Sequence, residues 1–175
     1  MRRIVVVSIV LVAVVLSAWL IWKRVAEPVR REEVAEIEKT REVTLYFGSN
    51  DGSSLLAEYR QIGSSNRALD NVRRVIEELI SGPGEGAVPT LPSSARLRGV
   101  FIHDKTAYID FSEDIVKDFS GGTAAEYMLV ASLVQTVCAN FDEVESVRVL
   151  VDGEEVDTIG GHLLISRPLR PQEWR

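Results

Sequence analysis

From Arg41 onward, apolar and polar positions alternate with a period of two. Val43, Leu45 and Phe47 are interleaved with Thr44 and Tyr46, and "GSNDG" supplies a turn before "SLLAEYRQI". Such alternation places one strand face in a core, so this stretch predicts a β-hairpin. The period then changes. In "SSNRALDNVRRVIEELISG", Leu69, Val72, Ile76 and Leu79 recur at helical spacing, with Ser65 or Asn66 placed to cap the helix and Gly82 to end it. After the glycine- and proline-rich "GPGEGAVPTLPSS", the segments "ARLRGVFIHD" and "TAYIDFS" predict a second hairpin across Asp104–Lys105, with Ala107, Ile109 and Phe111 facing inward. Thr123 and Glu126 read as a T-x-x-E capping box, each side chain satisfying the other's free amide. The helix they open carries Tyr127, Ala131, Val134 and Cys138 along one face and ends near Asn140. "ESVRVLVDG" predicts a strand with Val147, Val149 and Val151 on one side, and "HLLISRPL" predicts a closing strand begun by His162. The order is strand, strand, helix, strand, strand, helix, strand, strand. It implies an α+β fold, a two-layer sandwich of a mixed β-sheet with two helices on one face.

The N-terminal pattern is of another kind. Ile4–Trp22 is a run in which only Ser8 and Ser17 are polar. As a helix rising about 1.5 Å per residue, such a run comes close to crossing a hydrocarbon core of about 30 Å. Trp19 and Trp22 suit an interfacial belt, with Lys23 and Arg24 at the headgroups. A cleaved signal peptide is the alternative, but the run exceeds a usual h-region and no A-x-A site follows it. We therefore expect a membrane anchor over residues 1–24. Glu27 to Thr40, "EPVRREEVAEIEKT", is densely charged with a thin stripe of Val29, Val34 and Ile37, so residues 25–42 are expected to form a solvated juxtamembrane stalk. The globular domain is expected over residues 43–172. Basic residues flank both sides of the apolar run, so charge bias alone leaves its orientation open.

Charge narrows the partners. The whole chain carries a net charge of −6; residues 1–24 hold four of the 20 basic residues and none of the 26 acidic ones, leaving −10 on the remainder. A domain of that charge is repelled by phosphate backbones, so no nucleic acid partner is expected. Cys138 is the single cysteine, which excludes an internal disulfide.

Candidate chemistry is sparse. His103 and His162 are the only histidines, and there is no G-x-S-x-G, H-E-x-x-H, P-loop or C-x-x-C. His103 ends a strand at a turn, where a polar exposed side chain is ordinary. "GPGEG" lacks the Gly-Lys-Ser/Thr of a phosphate loop. The carboxylates of "DFSEDIVKDF" (Asp110, Glu113, Asp114 and Asp118) could be a hydrolytic or calcium-binding cluster. They equally suit the N-terminus of a short helix, where acidic groups are favoured, and EF-hand spacing is absent. His162 follows Gly160–Gly161, a pair suited to positive φ or close backbone approach. Without a second His, Cys or spaced carboxylate it forms no metal site. It is read as a structural or binding residue. No catalytic residue, cofactor or metal is predicted.

The ordered set "VTLYFGSNDGSSLLAEYR", "VIEELISGP", "LRGVFIHDKTAYIDFS", "GGTAAEYMLVASLVQTV", "VESVRVLVDG" and "TIGGHLLISRPL" resembles the GerM domain family of sporulation and spore germination, from roughly Val43 to Leu169. Within it, Asp110, Phe111 and Ser112 of "AYIDFS" and Gly160, Gly161 and His162 of "GGH" are the candidate structural or interaction motifs. The resemblance implies an extracytoplasmic, non-enzymatic module similar to ring-building domains. It also implies anchoring by lipid or membrane span, and an N-in orientation. No cysteine follows the apolar run to form a lipobox, so the span would replace the lipid. The expected partners are other envelope proteins or a second copy of the chain. Two alternatives stay open: a cell-wall glycan or peptide binding module, and an enzyme or hydrolase accessory using "DFSEDIVKD" or His162.

Overall fold

The alternation after Arg41 produces two long antiparallel strands, β1 (Thr40–Gly48) and β2 (Leu55–Gly63), with Thr40 opposite Gly63 and Gly48 opposite Leu55. Val43, Leu45 and Phe47 are buried, as their period of two requires. The computed structural model describes Trp19 and residues 39–174. The chain divides into two units, Met1–Ile37 and Glu38–Arg175, and all the described strands belong to the second. The expected span Ile4–Trp22 and the stalk through residue 38 lie outside the described residues, Trp19 excepted. Among the described residues no helix is long and apolar enough to cross a membrane.

Helix α1 (Ala68–Ile80) buries Val72, Val75, Ile76 and Leu79, while Leu69 stays exposed at its first turn. Its N-cap is Arg67, without a side-chain cap. The expected cap residue Ser65 acts differently: the Asn71 carboxamide accepts from the Ser65 N–H at 2.7 Å and donates to its carbonyl at 2.8 Å. Asn71 thus closes the β2–α1 connection from inside the helix. Gly82, at φ 89°, ends the helix by donating to the Leu79 carbonyl.

Strands β3 (Leu97–His103) and β4 (Thr106–Phe111) form the second hairpin. Asp104 and Lys105 both take positive φ, which matches the tight two-residue turn. After a one-turn helix α2 (Asp114–Lys117) comes the long α3 (Thr123–Asn140), then β5 (Ser146–Val151). With α2 and α3 as the crossover, β5 lies parallel to β4. The Asp152–Gly153 turn leads to a two-residue β6 (Glu154–Glu155), and Pro171–Glu173 forms a 3₁₀ turn.

The expected single mixed sheet is two sheets: β1–β2, and a mixed β3–β4–β5–β6. Helix α3 explains the division. It is buried on nearly every side, not along one face as its periodicity suggested, and packs against both β1 and β5. Its polar residues Ser132, Thr136 and Asn140, four apart, form one stripe along the free edge of β1. The Asn140 carboxamide accepts from Thr44 N–H at 3.0 Å and donates to Thr44 O at 2.7 Å, imitating a neighbouring peptide group. Thr136 Oγ1 accepts from Tyr46 N–H, and Ser132 Oγ donates to Tyr46 O. A helix thus occupies the place where a third strand would pair.

The predicted closing strand is also corrected. Residues 162–168 form no strand, and only Leu169 makes an isolated bridge, with Val147. The amides of His162 and Leu163 are committed elsewhere, to the side chain of Glu126.

Candidate functional site

Glu126 sits in the first turn of α3, and its side chain is fully buried. A buried carboxylate is costly unless each oxygen is satisfied. Here both are. Oε1 accepts from Thr158 Oγ1 at 2.6 Å, Ile159 N at 2.9 Å and Gly160 N at 2.8 Å. Oε2 accepts from His162 N at 2.9 Å and Leu163 N at 3.2 Å. The loop 158–163 therefore wraps its amides around one carboxylate. Burial pushes the Glu126 carboxyl up, but the hydrogen bonds from Thr158, Gly160, His162 and Ile159 outweigh it and hold the group below its ordinary value of 4.5.

This corrects the capping-box reading. The N-cap is Gly122, with no side-chain cap bond, and Thr123 is exposed. Glu126 reaches the loop instead of its own helix terminus. The glycine pair fits the same geometry: a Cβ on Gly160 would stand 2.4 Å from Phe119 Cε1 and 3.2 Å from Glu126 Oε2, and Gly161 takes φ 85°. The clasp needs one glycine for close approach and the other for its backbone turn. His162 contributes its amide, while its side chain is exposed.

The other predicted motif is structural in its bonding too. Asp110 Oδ1 accepts from Gly153 N at 2.8 Å, tying β4 to the Asp152–Gly153 turn, and Oδ2 lies 3.8 Å from Arg98 Nε. Arg98 also pairs with Asp152. Phe111 is buried in the core. Ser112 Oγ accepts from Arg96 N at 3.2 Å and donates to Asp114 at 3.0 Å, at the start of α2. Glu113 pairs with Lys117 one helical turn on. Neither Asp110–Ser112 nor the acidic residues converge with Gly160–His162 into one cluster of reactive groups. Among the described residues no group of three or more His, Cys, Asp or Glu could hold a metal ion. Burial raises the Cys138 thiol to about 11, which keeps it protonated and unreactive.

Among the described residues, a pair of surface troughs shares Met128. One, of about 410 Å³, is lined by Tyr46, Leu55, Tyr127, Gln135 and Trp174. The other, of about 550 Å³, runs along Val88–Ser93 to Phe119 and Ala125. Sequence reasoning missed both, because their walls come from segments far apart in the chain.

The geometry is that of a small α+β module whose charged motifs brace its loops. The chain belongs to the sporulation and spore germination family (Germane, the GerM domain), whose model matches residues 44–157. The loop that wraps Glu126 lies just beyond that match. Solved structures with the same fold include the first GerMN domain of the sporulation protein GerM from Bacillus subtilis, at 22% identity and a TM-score of 0.61, over 77% of this chain and 98% of that one. The tandem GerMN domains of the same protein align at 20% identity and a TM-score of 0.57, over 81% of this chain but 49% of the tandem chain. A Clostridium perfringens protein described as a lipoprotein aligns at 24% identity and a TM-score of 0.57, over 77% of this chain and 89% of that one. No curated protein matches the chain.

Proposed function

We propose that this domain is a non-enzymatic protein-interaction module of the bacterial cell envelope, held on the extracytoplasmic side by Ile4–Trp22. The observation that carries the reading is the aromatic trough of Tyr46, Tyr127 and Trp174. Its lining presents aromatic and apolar groups to a partner and no acid–base pair. The apolar N-terminal run and the family membership support the location, and the net charge of the domain argues against nucleic acid as the partner. A photo-crosslinking residue at Met128, where the troughs meet, tests it in the full membrane-anchored chain. Protein adducts are expected; their absence would overturn the reading.

The same trough favours one second reading, a cell-wall binding module, since the tyrosine rings that line it also suit sugars or short peptides. Retention of the chain on purified sacculi, lost on Trp174→Ala and Tyr127→Ala, together with no protein adduct at Met128, would establish that reading instead.

A further inference from the structure

Each sheet has two edges, and three of the four are defended. Edge β1 is closed by the side chains of α3 and by Val88, whose N–H and C=O pair with Gly48. Edge β3 is broken by a register shift between Leu97 and Gly99, and edge β6 is two residues long. These are standard ways to stop a sheet from recruiting another chain. Edge β2 has none of them. Its nine residues, "LLAEYRQIG", hold no proline and no lysine, and its register with β1 runs unbroken from Leu55 to Gly63.

The backbone groups left open can be named. Thr44 and Tyr46 point their peptide groups away from β2, toward α3. In an antiparallel ladder the residues opposite them, Tyr59 and Ala57, must then also point outward, and Gln61 follows by alternation. Among the described residues no hydrogen bond reaches these groups. The strand also carries exposed apolar surface: Tyr59 is 68% exposed and Leu56 41%.

We infer that β2 pairs antiparallel with β2 of a second copy of this chain, about a twofold axis at Tyr59. This names a partner for the interaction module proposed above and rests on that reading. The sequence of the strand selects the register. A twofold axis can pass through any residue of the strand, but on Glu58 or Arg60 it would set like charges face to face, so the central choices are Ala57, Tyr59 and Gln61. Centring on Tyr59 uses the whole strand and sets Glu58 against Arg60 of the second copy, Leu56 against Ile62 and Ala57 against Gln61. Glu58 and Arg60 already pair within one strand, at 2.6 Å, so the axis would assemble four alternating charges. Centring on Ala57 or Gln61 forfeits this opposition and leaves strand ends unpaired. Opposite charges on facing cross-strand positions favour pairing.

The test is cysteine crosslinking in the full membrane-anchored chain with Cys138→Ser. Directly opposite hydrogen-bonded residues lie about 5.5 Å apart between Cα atoms, within disulfide reach. Ala57 and its own copy would be displaced by four residues, about 14 Å. Under a mild oxidant, Tyr59→Cys should dimerise at least about tenfold faster than Ala57→Cys alone, a difference set by reach. Mixing Ala57→Cys with Gln61→Cys chains should restore crosslinking. Leu164→Cys, at a position 64% exposed elsewhere on the domain, gives the rate of chance collision. Equal rates at 57, 59 and 164 would overturn the pairing. If protein adducts still form at Met128, the interaction reading survives that result; if they too are absent, both fall.

Discussion

Replacing Glu126 by Gln alters one atom and should unlatch the loop 158–163. Gln keeps a single carbonyl oxygen and places an NH₂ where the other oxygen was. If the oxygen stays at Oε2, the amides of Ile159 and Gly160 face a donor; if it stays at Oε1, those of His162 and Leu163 do. Two backbone amides lose their acceptor in either orientation. An unsatisfied buried donor costs about 1–3 kcal/mol, and this loop is only part-buried, so about 3 kcal/mol is expected for the pair. That is a large share of the roughly 5–15 kcal/mol that holds a domain together. At roughly 3–4 °C per kcal/mol for a domain of this size, the melting temperature should fall by about 10 °C. Thermal unfolding followed by circular dichroism measures it. Amide hydrogen exchange at Ile159, Gly160 and His162 should quicken in the same variant. Thr123→Ala is the companion measurement: a true capping box would cost about 1 kcal/mol there, whereas the clasp leaves Thr123 without a role. A Glu126→Gln protein melting within about 3 °C of wild type, roughly 1 kcal/mol, would refute the clasp. So would a Thr123→Ala loss equal to that of Glu126→Gln.

The clasp also predicts a pH dependence. The folded Glu126 carboxyl lies below its unfolded value near 4.5, so its contribution is complete above that value and is lost as pH falls through the folded one. The melting difference between wild type and Glu126→Gln should therefore shrink as the buffer is acidified below pH 4.5, and a constant difference would contradict it. Gly160→Val should unfold at lower temperature because its Cβ would stand 2.4 Å from Phe119 Cε1. Gly161→Val should lose about 1–2 kcal/mol or more from its left-handed backbone, while His162→Ala, which keeps the amide, should lose less than either glycine variant. In thermal melts, a histidine variant worse than both would reopen a side-chain role. Asn140→Ala should expose both peptide groups of Thr44 and cost about 2–4 kcal/mol, with faster hydrogen exchange at Thr44; unchanged exchange there would disprove the edge closure.

Local signals in the sequence were strong where structure is local. The period of two in Val43–Phe47 and in Ala107–Phe111, the helical spacing through Leu79, and the turns at Asp104–Lys105 and Gly82 all appear in the fold. What escaped is what joins distant segments. A T-x-x-E beginning a helix has a local explanation, and nothing near Glu126 announces amides more than thirty residues away. The glycine pair signals a backbone feature, and the structure shows it as close approach at Gly160 and positive φ at Gly161, but the local sequence does not name the carboxylate that Gly160 approaches. "HLLISRPL" alternates like a strand, yet its first amides are drawn to Glu126, and tertiary bonding overrode the pattern. Ser132, Thr136 and Asn140 offered a usable clue. Three hydrogen-bonding residues spaced by four inside a largely apolar helix mark a stripe with a polar partner, which here is the edge of β1.

That stripe works because two unlike rulers nearly agree. Four residues of helix advance about 6 Å, and two residues of strand about 6.8 Å. Over one step the mismatch is under about 1 Å, which a rotamer absorbs; over two it reaches about 1.6 Å, too much for a hydrogen bond. Asn140 meets Thr44 and Thr136 meets Tyr46. At the next outward position, Gly48, the helix no longer serves, and the backbone of Val88 takes its place. A helix can stand in for a strand only over such a vernier coincidence, so the reach of the hairpin beside α3 is fixed by pitch, and lengthening β1 would require a longer loop and not a longer helix.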